Sequence, residues 1–429
     1  MTAAPPEVEL TDTGIEMLPD PSRVVTRYFV PGREDVGPTG SRAPAVIGRI
    51  LALTEEQVEA TMRDVDARFE ARHLDLHGTF ERHARQVADG SGVDLGTSTT
   101  RRLLLGASFT HEYAIEGAAL CNPSGVVFGT ETTDGSRPFV LSLRGIGEGH
   151  RSSVSFRTGA VHADGTVAID TPGAQASLEQ TTTSIGPSSY RVRFDESTLL
   201  SQRVLWPQDE TERQGMEDVR LVRFAHEADI TYYGTYTAFD GTNIGQRLLQ
   251  TDDFTTFEMS PMTGAVASGK GLALFPRRVG GRFVALTRSD RETNAIAFSD
   301  DLRVWDTSEP IQIPTEPWEM LQLGNCGSPI ETDAGWVVIT HGVGPMRTYA
   351  LGALLLDLEH PERVIGRSRL PIITPAEARR DGYVPNVVYS CGAFAHGDTL
   401  VLPYGLADQS IRIATLSLGH LVAALVAQP

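Results

Sequence analysis

From about residue 102 to the end, hydrophobic positions fall in short runs that alternate with polar ones and are broken by Gly, Asp and Asn: RPFVLSLRG, TYYGTYTAFDG, GRFVALTRSD, GWVVITHGVG and DTLVLPYGLAD. Alternation with period two between turn formers predicts β-strands in a meander. The preceding segment is patterned differently. In TEEQVEATMRDVDARFEARHLDLHGTFERHARQVA the apolar residues Val58, Met62, Val65 and Phe69 recur at three and four, and Thr54 and Gln57 stand ahead of them at capping-box spacing. One or two helices are predicted over roughly 54–89. Residues 1–50, rich in Pro and Gly with short apolar pieces such as RVVTRYFV, read as an extended arm lying on something else.

The strand region repeats itself. QTDDFTTFE (250–258) and FSDDLRVWD (298–306) share an Asp pair, a hydrophobic residue and an aromatic four residues after the second Asp, at an offset of 48; HADGTVAID is a weaker copy. A period near fifty residues with about four strands per unit predicts the blades of a β-propeller, and roughly three hundred residues leave room for five or six of them. A pair of β-sandwiches is the competing arrangement. The expected organisation is an N-terminal arm and helical segment at 1–100 and an all-β domain at 101–429. In a propeller the inner strands line one channel, so polar residues at their starts converge. GMEDVRLVRF (215–224), with Glu217, Asp218 and Arg220 where a strand begins, reads as one such mouth.

Composition narrows the chemistry. With 37 basic and 55 acidic residues the net charge is −18, which repels nucleic acid and anionic membrane surfaces and favours a neutral or small substrate. No run of eighteen apolar residues is present. The start, MTAAPPEVELTDTGIEMLPD, is acidic and lacks the basic-then-apolar order of a secretory signal, so a cytoplasmic location is expected. Cys121, Cys326 and Cys391 are too few and too scattered for a disulfide framework or a zinc site. The helical segment offers a face for the β domain or for a second copy, so a homo-oligomer is compatible with the sequence.

Several strand ends carry polar groups in excess of structural need: Asn122 and Ser124; Arg144, Glu148, His150, Arg151 and Ser152; Lys270; Arg288; His341; Tyr404 and Asp408. Each alone is more often a cap, a turn former or a surface charge; their recurrence at corresponding positions of successive repeats is the signal. GIGEGH lacks the spacing and setting of a dinucleotide or phosphate loop, no HExxH occurs, and YSCGAF is not a nucleophile elbow, so metal and thiol chemistry are not expected.

Taken together, GMEDVRLVRF, YYGTYTAFDG, GKGLALFPRRVGGRFVALTR, SDDLRVW, GWVVITHGVG, ALGALLLDLEHPERVIGRS and VPNVVYSCGAF with YGLAD resemble family 130 of the glycoside hydrolases, the β-mannoside phosphorylases and mannosidases, collinearly over roughly 100–415. The resemblance implies a five-bladed β-propeller, an inverting mechanism, a β-linked mannoside as substrate, inorganic phosphate as co-substrate and no other cofactor. The family's general acid falls on Asp218, with Val219 where the family motif has Pro. Its phosphate-binding set is matched by Lys270, with Arg288 and His341 as companions. Sugar contacts fall on Asn122, Arg144, Tyr236 and Asp408, and Arg151, Glu217 and Arg220 join the substrate-binding set. The charge of Glu217 beside Asp218 is expected to help Asp218 keep a proton. Phosphorolysis needs only a cationic cradle for its nucleophile, whereas hydrolysis of a β-1,2-linked mannoside needs a base, for which Glu148 and Glu292 are the candidates. The expected reaction is therefore phosphorolysis to mannose 1-phosphate, with hydrolysis as the alternative and a non-catalytic glycan-binding propeller as a third reading.

Overall fold

Four of the five α-helices among the described residues fall at 43–107 and most strands follow them, but a fifth helix, Leu418–Val426, closes the region expected to be all-β. The computed structural model describes residues 8–32, 42–92, 94, 98–226, 229–375 and 382–426. It divides into two compact units, one of Met1–Asp20, Glu116–Pro172 and Leu178–Pro429, the other of Pro21–Ile115 and Gly173–Ser177.

The smaller unit holds the helices Ala43–Leu51, Glu55–Phe69, Leu76–Ser91 and Thr99–Ala107 and a two-stranded sheet of Val24–Tyr28 with Thr110–Ala114. The capping box at Thr54 is formed, the Gln57 amide donating to Thr54 Oγ1 and the Thr54 amide to Gln57 Oε1. Val58 and Met62 are buried, and Val65 and Phe69 pack half-buried on the same core with Ile47, Phe80, Leu104 and Phe109. Two expectations are corrected. Ala43–Leu51, expected as part of an extended arm, is a helix: Pro44 sits in its first turn and Ile47 and Ile50 are buried. Thr99–Ala107, expected at the start of the strand domain, is a helix capped by Ser98. Residues 1–7 and 33–41 of the expected arm lie outside the described residues. Buried Arg101 joins these helices, donating to the carbonyls of Ile50, Leu51 and Leu53 and to Glu55, which satisfies orphan carbonyls at a helix end.

The larger unit is built of antiparallel meanders. Their strands are, in order, Ala119–Val127, Arg137–Ile146, Ser152–Val161 and Val167–Ile169; Gly215–His226, Asp229–Phe239, Ile244–Thr251 and Thr256–Pro261; Ala273–Leu274, Phe283–Thr287, Asn294–Ser299 and Glu309–Gln312; and Gln322–Asn325, Gly335–Gly344, Thr348–Leu356 and Val364–Arg367. A last sheet joins Val388–Tyr389, Thr399–Leu406 and Ser410–Ser417, and its outer strand is supplied from the other end of the chain by Thr11–Met17. The first and second meanders share a parallel pairing at Gly215 and Ser152.

The sequence echo has a structural cause. Both copies turn from the third to the fourth strand of a meander. The second Asp caps the turn, Asp253 accepting from the amides of Thr255 and Thr256 and Asp301 from that of Arg303. The aromatic that follows, Phe257 or Trp305, is fully buried. In HADGTVAID the same turn is capped by Asp164, which accepts from Thr166.

Two expected outcomes test this packing. Gly106 faces the backbone of the neighbouring helix so closely that a Cβ there would lie 1.9 Å from the Phe80 carbonyl oxygen. Gly106→Ala therefore costs about 1–3 kcal/mol in a denaturant titration, through forced separation of the two helices. The second concerns His83, which donates to or accepts from Thr110 Oγ1 at 2.6 Å. Burial, aided by Arg82, Arg27 and His111, pushes its pKa down to about 4. The unfolded imidazole titrates near 6.5, so between about pH 6.5 and 4 the unfolded chain binds the extra proton and stability falls on acidification, by up to about 1.4 kcal/mol per pH unit. His83→Phe flattens that part of the stability profile; an unchanged slope would contradict the assignment.

Candidate functional site

First strands supply the centre of the site, one from each meander: Asn122, Asp218, the residue after Asn325, and Tyr389, with Lys270 just ahead of Ala273–Leu274. Two of these strands are irregular where the chemistry sits. The register shifts between Cys121 and Ser124 and between Glu217 and Arg220, and within those bulges Asn122 (φ 50°) and Asp218 (φ 58°) adopt the left-handed conformation. A bulge re-aims a side chain that a regular strand would send to one sheet face, and Asn and Asp are the non-glycine residues that tolerate this backbone best. The re-aimed groups meet, Asn122 Nδ2 donating to Asp218 Oδ1 at 2.5 Å.

Arginines and one lysine enclose the carboxylates. Arg144 donates from Nη1 to Asp218 Oδ1 (3.1 Å), from Nη2 to Glu217 Oε1 (2.8 Å) and from Nε to Ser152 Oγ (2.9 Å). Lys270 Nζ donates to Glu217 Oε2 at 3.0 Å and keeps about a third of its side chain exposed. Arg220, fully buried, donates to the carbonyls of Cys326 and Asp218 and to the Tyr389 hydroxyl. Each of its three nitrogens makes a bond to protein, which makes Arg220 a strut between the neighbouring strands.

The electrostatics correct an expectation. Burial pushes the Asp218 carboxyl up, but Arg144, Lys270, Arg220 and the Asn122 amide together overcome it and hold Asp218 well below the usual carboxylate range. The expected help from Glu217 is absent because that carboxylate is itself neutralised by Arg144 and Lys270. Asp408, in the left-handed region (φ 46°) at the turn between Thr399–Leu406 and Ser410–Ser417, behaves in the opposite way. Burial first and the Asp218 charge second raise it to about 6, against Arg144 and Arg347.

Beside this group lies a cationic recess. Arg288 and His341 meet at 3.5 Å, Nη1 to Nε2. His341 is fully buried, and burial together with Arg288 and Arg220 keeps its pKa well below the ordinary value, so it is a neutral imidazole at neutral pH. Its ring stands edge-on to Tyr389, centroids 4.9 Å apart. Arg288 has no carboxylate partner among the described residues, and its Nε is buried without a hydrogen bond. Space for it is made by glycines on both sides: a Cβ on Gly271 (φ +91°) would lie 2.8 Å from Arg288 Cγ, and one on Gly324 2.7 Å from Cδ. The first of these glycines directly follows Lys270 in the chain.

Other expected residues lie elsewhere. Tyr236 is fully buried with its hydroxyl committed to Glu212, in a cluster that also holds Tyr190 and Arg247, so it is not brought to Asp218. The Arg151 guanidinium lies over the Trp206 ring at 5.5 Å. Glu148 and Glu292 are exposed, and the Glu292 amide is spent on an Asp290 turn. Burial pushes the thiols of Cys121, Cys326 and Cys391 up, which keeps them protonated. No grouping of His, Cys, Asp and Glu suited to a metal ion occurs among the described residues, and no helix there is long and apolar enough to cross a membrane. Sequence reasoning missed Tyr389 and Asn325; both sit at first-strand ends, the signal that found Asn122 and Asp218.

The geometry can hold a polyhydroxylated molecule against paired carboxylates and an anion against Arg288 and Lys270. Comparison with known proteins identifies the family. A family described as beta-1,4-mannooligosaccharide phosphorylase, family 130 of the glycoside hydrolases, matches residues 188–426. A 1,2-beta-oligomannan phosphorylase from Thermoanaerobacter sp. (strain X514) is 37% identical over 224 residues, 51% of this chain and 74% of that protein. A beta-1,2-mannobiose phosphorylase from Listeria innocua serovar 6a is 30% identical over 232 residues, 52% of this chain and 64% of that protein. The solved complex of a beta-1,2-mannobiose phosphorylase from Listeria innocua with beta-1,2-mannobiose superposes with a TM-score of 0.53 at 20% identity, covering 73% of this chain and 93% of that one. More than half of the chain, including the strand with Glu217, Asp218 and Arg220, lies within the family match, and the chain belongs to family 130 of the glycoside hydrolases.

Proposed function

We propose that this protein is an inverting phosphorylase of β-linked mannosides, cleaving them with inorganic phosphate to mannose 1-phosphate, and that its meanders are the blades of a five-bladed β-propeller. The observation that carries the reaction is the half-buried Arg288, which lacks a carboxylate counter-charge among the described residues and sits against neutral His341 and against Gly271, the residue after Lys270. An uncompensated buried guanidinium is costly unless an anion completes it, and a phosphate dianion accepts from such a fork in two places. Glu148 and Glu292, the candidate bases for hydrolysis, are exposed. The propeller reading is supported by bonds between first strands: Ser124 Oγ accepts from the Leu221 amide, Cys391 donates its amide to Pro123, Asn325 reaches Gly271, and Arg220 reaches Cys326. Reduced, buried cysteines accord with a cytoplasmic setting.

In this reading the sugar rests against Asn122, Arg144 and Asp408. Phosphate, held by Arg288, Lys270 and the His341 imidazole, attacks the anomeric carbon as the glycosidic C–O bond breaks on the opposite face, and the leaving oxygen takes its proton from Asp218, directly or through a hydroxyl of the bound sugar. Asp218 is ionised in the free site, so it must be loaded with that proton. Binding supplies the means: a dianion beside Lys270 and Arg288 cancels part of the positive field that keeps Asp218 ionised and raises its pKa toward the protonated form.

Phosphate-free enzyme incubated with β-1,2-mannobiose is expected to release sugar only when inorganic phosphate is added, with mannose 1-phosphate as product; free mannose at an undiminished rate without phosphate would establish hydrolysis instead. Arg288→Met is expected to raise the KM for phosphate by about 10- to 100-fold while moving the KM for mannoside less than about threefold, the worth of one charge-assisted contact of roughly 1.5–3 kcal/mol. Asp218→Asn keeps a residue at ease with φ 58° and is expected to lower kcat by about 10²- to 10⁴-fold with glycan binding and melting temperature retained. Retained turnover on an unactivated mannoside would remove Asp218 from the acid role.

A further inference from the structure

Of the 37 Lys and Arg residues in the chain, 36 are Arg, and Lys270 is the only lysine. The loop carrying it is fastened from beneath at three carbonyls by side chains of three different strands. Gln246 Nε2 donates to the Gly269 carbonyl at 2.9 Å, Asn325 Nδ2 to the Gly271 carbonyl at 2.8 Å, and the Thr235 hydroxyl to the Leu272 carbonyl. All three side chains are buried. The donor ends of both amides are directed to the loop while their oxygens, Gln246 Oε1 and Asn325 Oδ1, are buried without a partner. The loop also has no room to slide, since a Cβ on Gly269 would lie 2.8 Å from the Ser289 Cα.

We propose that Gln246, Asn325 and Thr235 are positioning residues for Lys270, fixing its backbone so that its amine stands between Glu217 and the anion site. This rests on the reading of Lys270 as a phosphate ligand. A clamped backbone explains why this one position is not arginine in a chain that otherwise uses arginine throughout. An ammonium is a compact charge on a flexible stem, whereas a guanidinium in the same slot would need its Cα elsewhere to reach the same point. The residues act through main-chain carbonyls.

A lone lysine makes the proposal directly measurable. Full-length protein labelled with ¹³C-lysine gives one set of lysine side-chain correlations, and an anchored amine shows two distinct Hε shifts. Gln246→Met and Thr235→Val each remove a donor at similar volume, and Thr235→Ser keeps one. The expected result is distinct Hε shifts in the wild type and Thr235→Ser, collapse toward a single averaged shift in Gln246→Met and Thr235→Val, and about tenfold weaker binding of inorganic phosphate in those two, with β-1,2-mannobiose affinity changed less than about twofold. Asn325→Leu extends the series; should it fail to fold, the other two variants decide the matter. Unchanged Hε shifts and unchanged phosphate affinity in folded variants overturn the positioning role, as does an equal loss for both substrates. If the wild-type shifts are distinct and collapse in the variants but never respond to added phosphate, the positioning role stands and the phosphate role of Lys270 falls.

Discussion

Arg220 is the constraint on which the centre of the larger unit depends. A guanidinium removed from water costs several kcal/mol unless its donors are satisfied, and Arg220 is 1% exposed. Its partners are the Cys326 carbonyl, the Asp218 carbonyl and the Tyr389 hydroxyl, which belong to three different meanders. The charge cannot be buried until those segments are in place, and once buried it holds them. Asp218 is thereby held at its backbone by one arginine and at its carboxylate by another, Arg144. Arg220 thus fixes the backbone of Asp218 and, with Arg144 and Lys270, also holds its carboxylate ionised.

The remaining charges share a second logic. Glu217 divides its two oxygens between Arg144 and Lys270, so it links the carboxylate side of the site to the cationic recess. Within the recess the imidazole of His341 stays neutral because burial and two neighbouring guanidiniums oppose its protonation. Arg288 donates to its Nε2, which leaves the one N–H of the neutral ring at Nδ1, beside Cys326 Sγ, so the positive charge of the recess comes from Arg288 and Lys270. Asp408, raised to about 6, is the group of the site that changes charge nearest to neutral pH. The two aspartates are driven apart by environment: one faces three cations and an amide, the other faces the first aspartate.

Much of this was legible in the sequence, for a physical reason. Strands half-buried in a meander alternate in hydrophobicity, and the Asp-capped turn with its buried aromatic recurs because every meander must turn its third strand into its fourth over the same packing; Phe257 and Trp305 are the visible marks. The charged triplet at 217–220 stood out because a strand start is an expensive place for three charges. Two things could not be read. The bulges at Asn122 and Asp218 leave no mark in a periodicity of two, so the meeting of those side chains came only with the structure. Protonation depends on neighbours remote in sequence: Glu217 adjoins Asp218 in the chain, yet Arg144, seventy-four residues away, decides its charge. Tyr236 shows the reverse failure, a polar residue on the right strand pair whose partner, Glu212, buries it in a separate cluster.

The left-handed backbone at Asp218 also bears on how such a protein can change over evolutionary time. At φ 58° most side chains are strained, so the position drifts most easily among Asp, Asn and Gly. Aspartate and asparagine codons differ by one base. A single mutation can therefore convert the carboxylate to an amide at no backbone cost, leaving Arg220 and Arg144 in place. On the proposed role of Asp218 as proton donor, a lectin-like descendant that holds the glycan without cutting it is one nucleotide away, and in such a descendant the arginine cage would persist as a record of its ancestry.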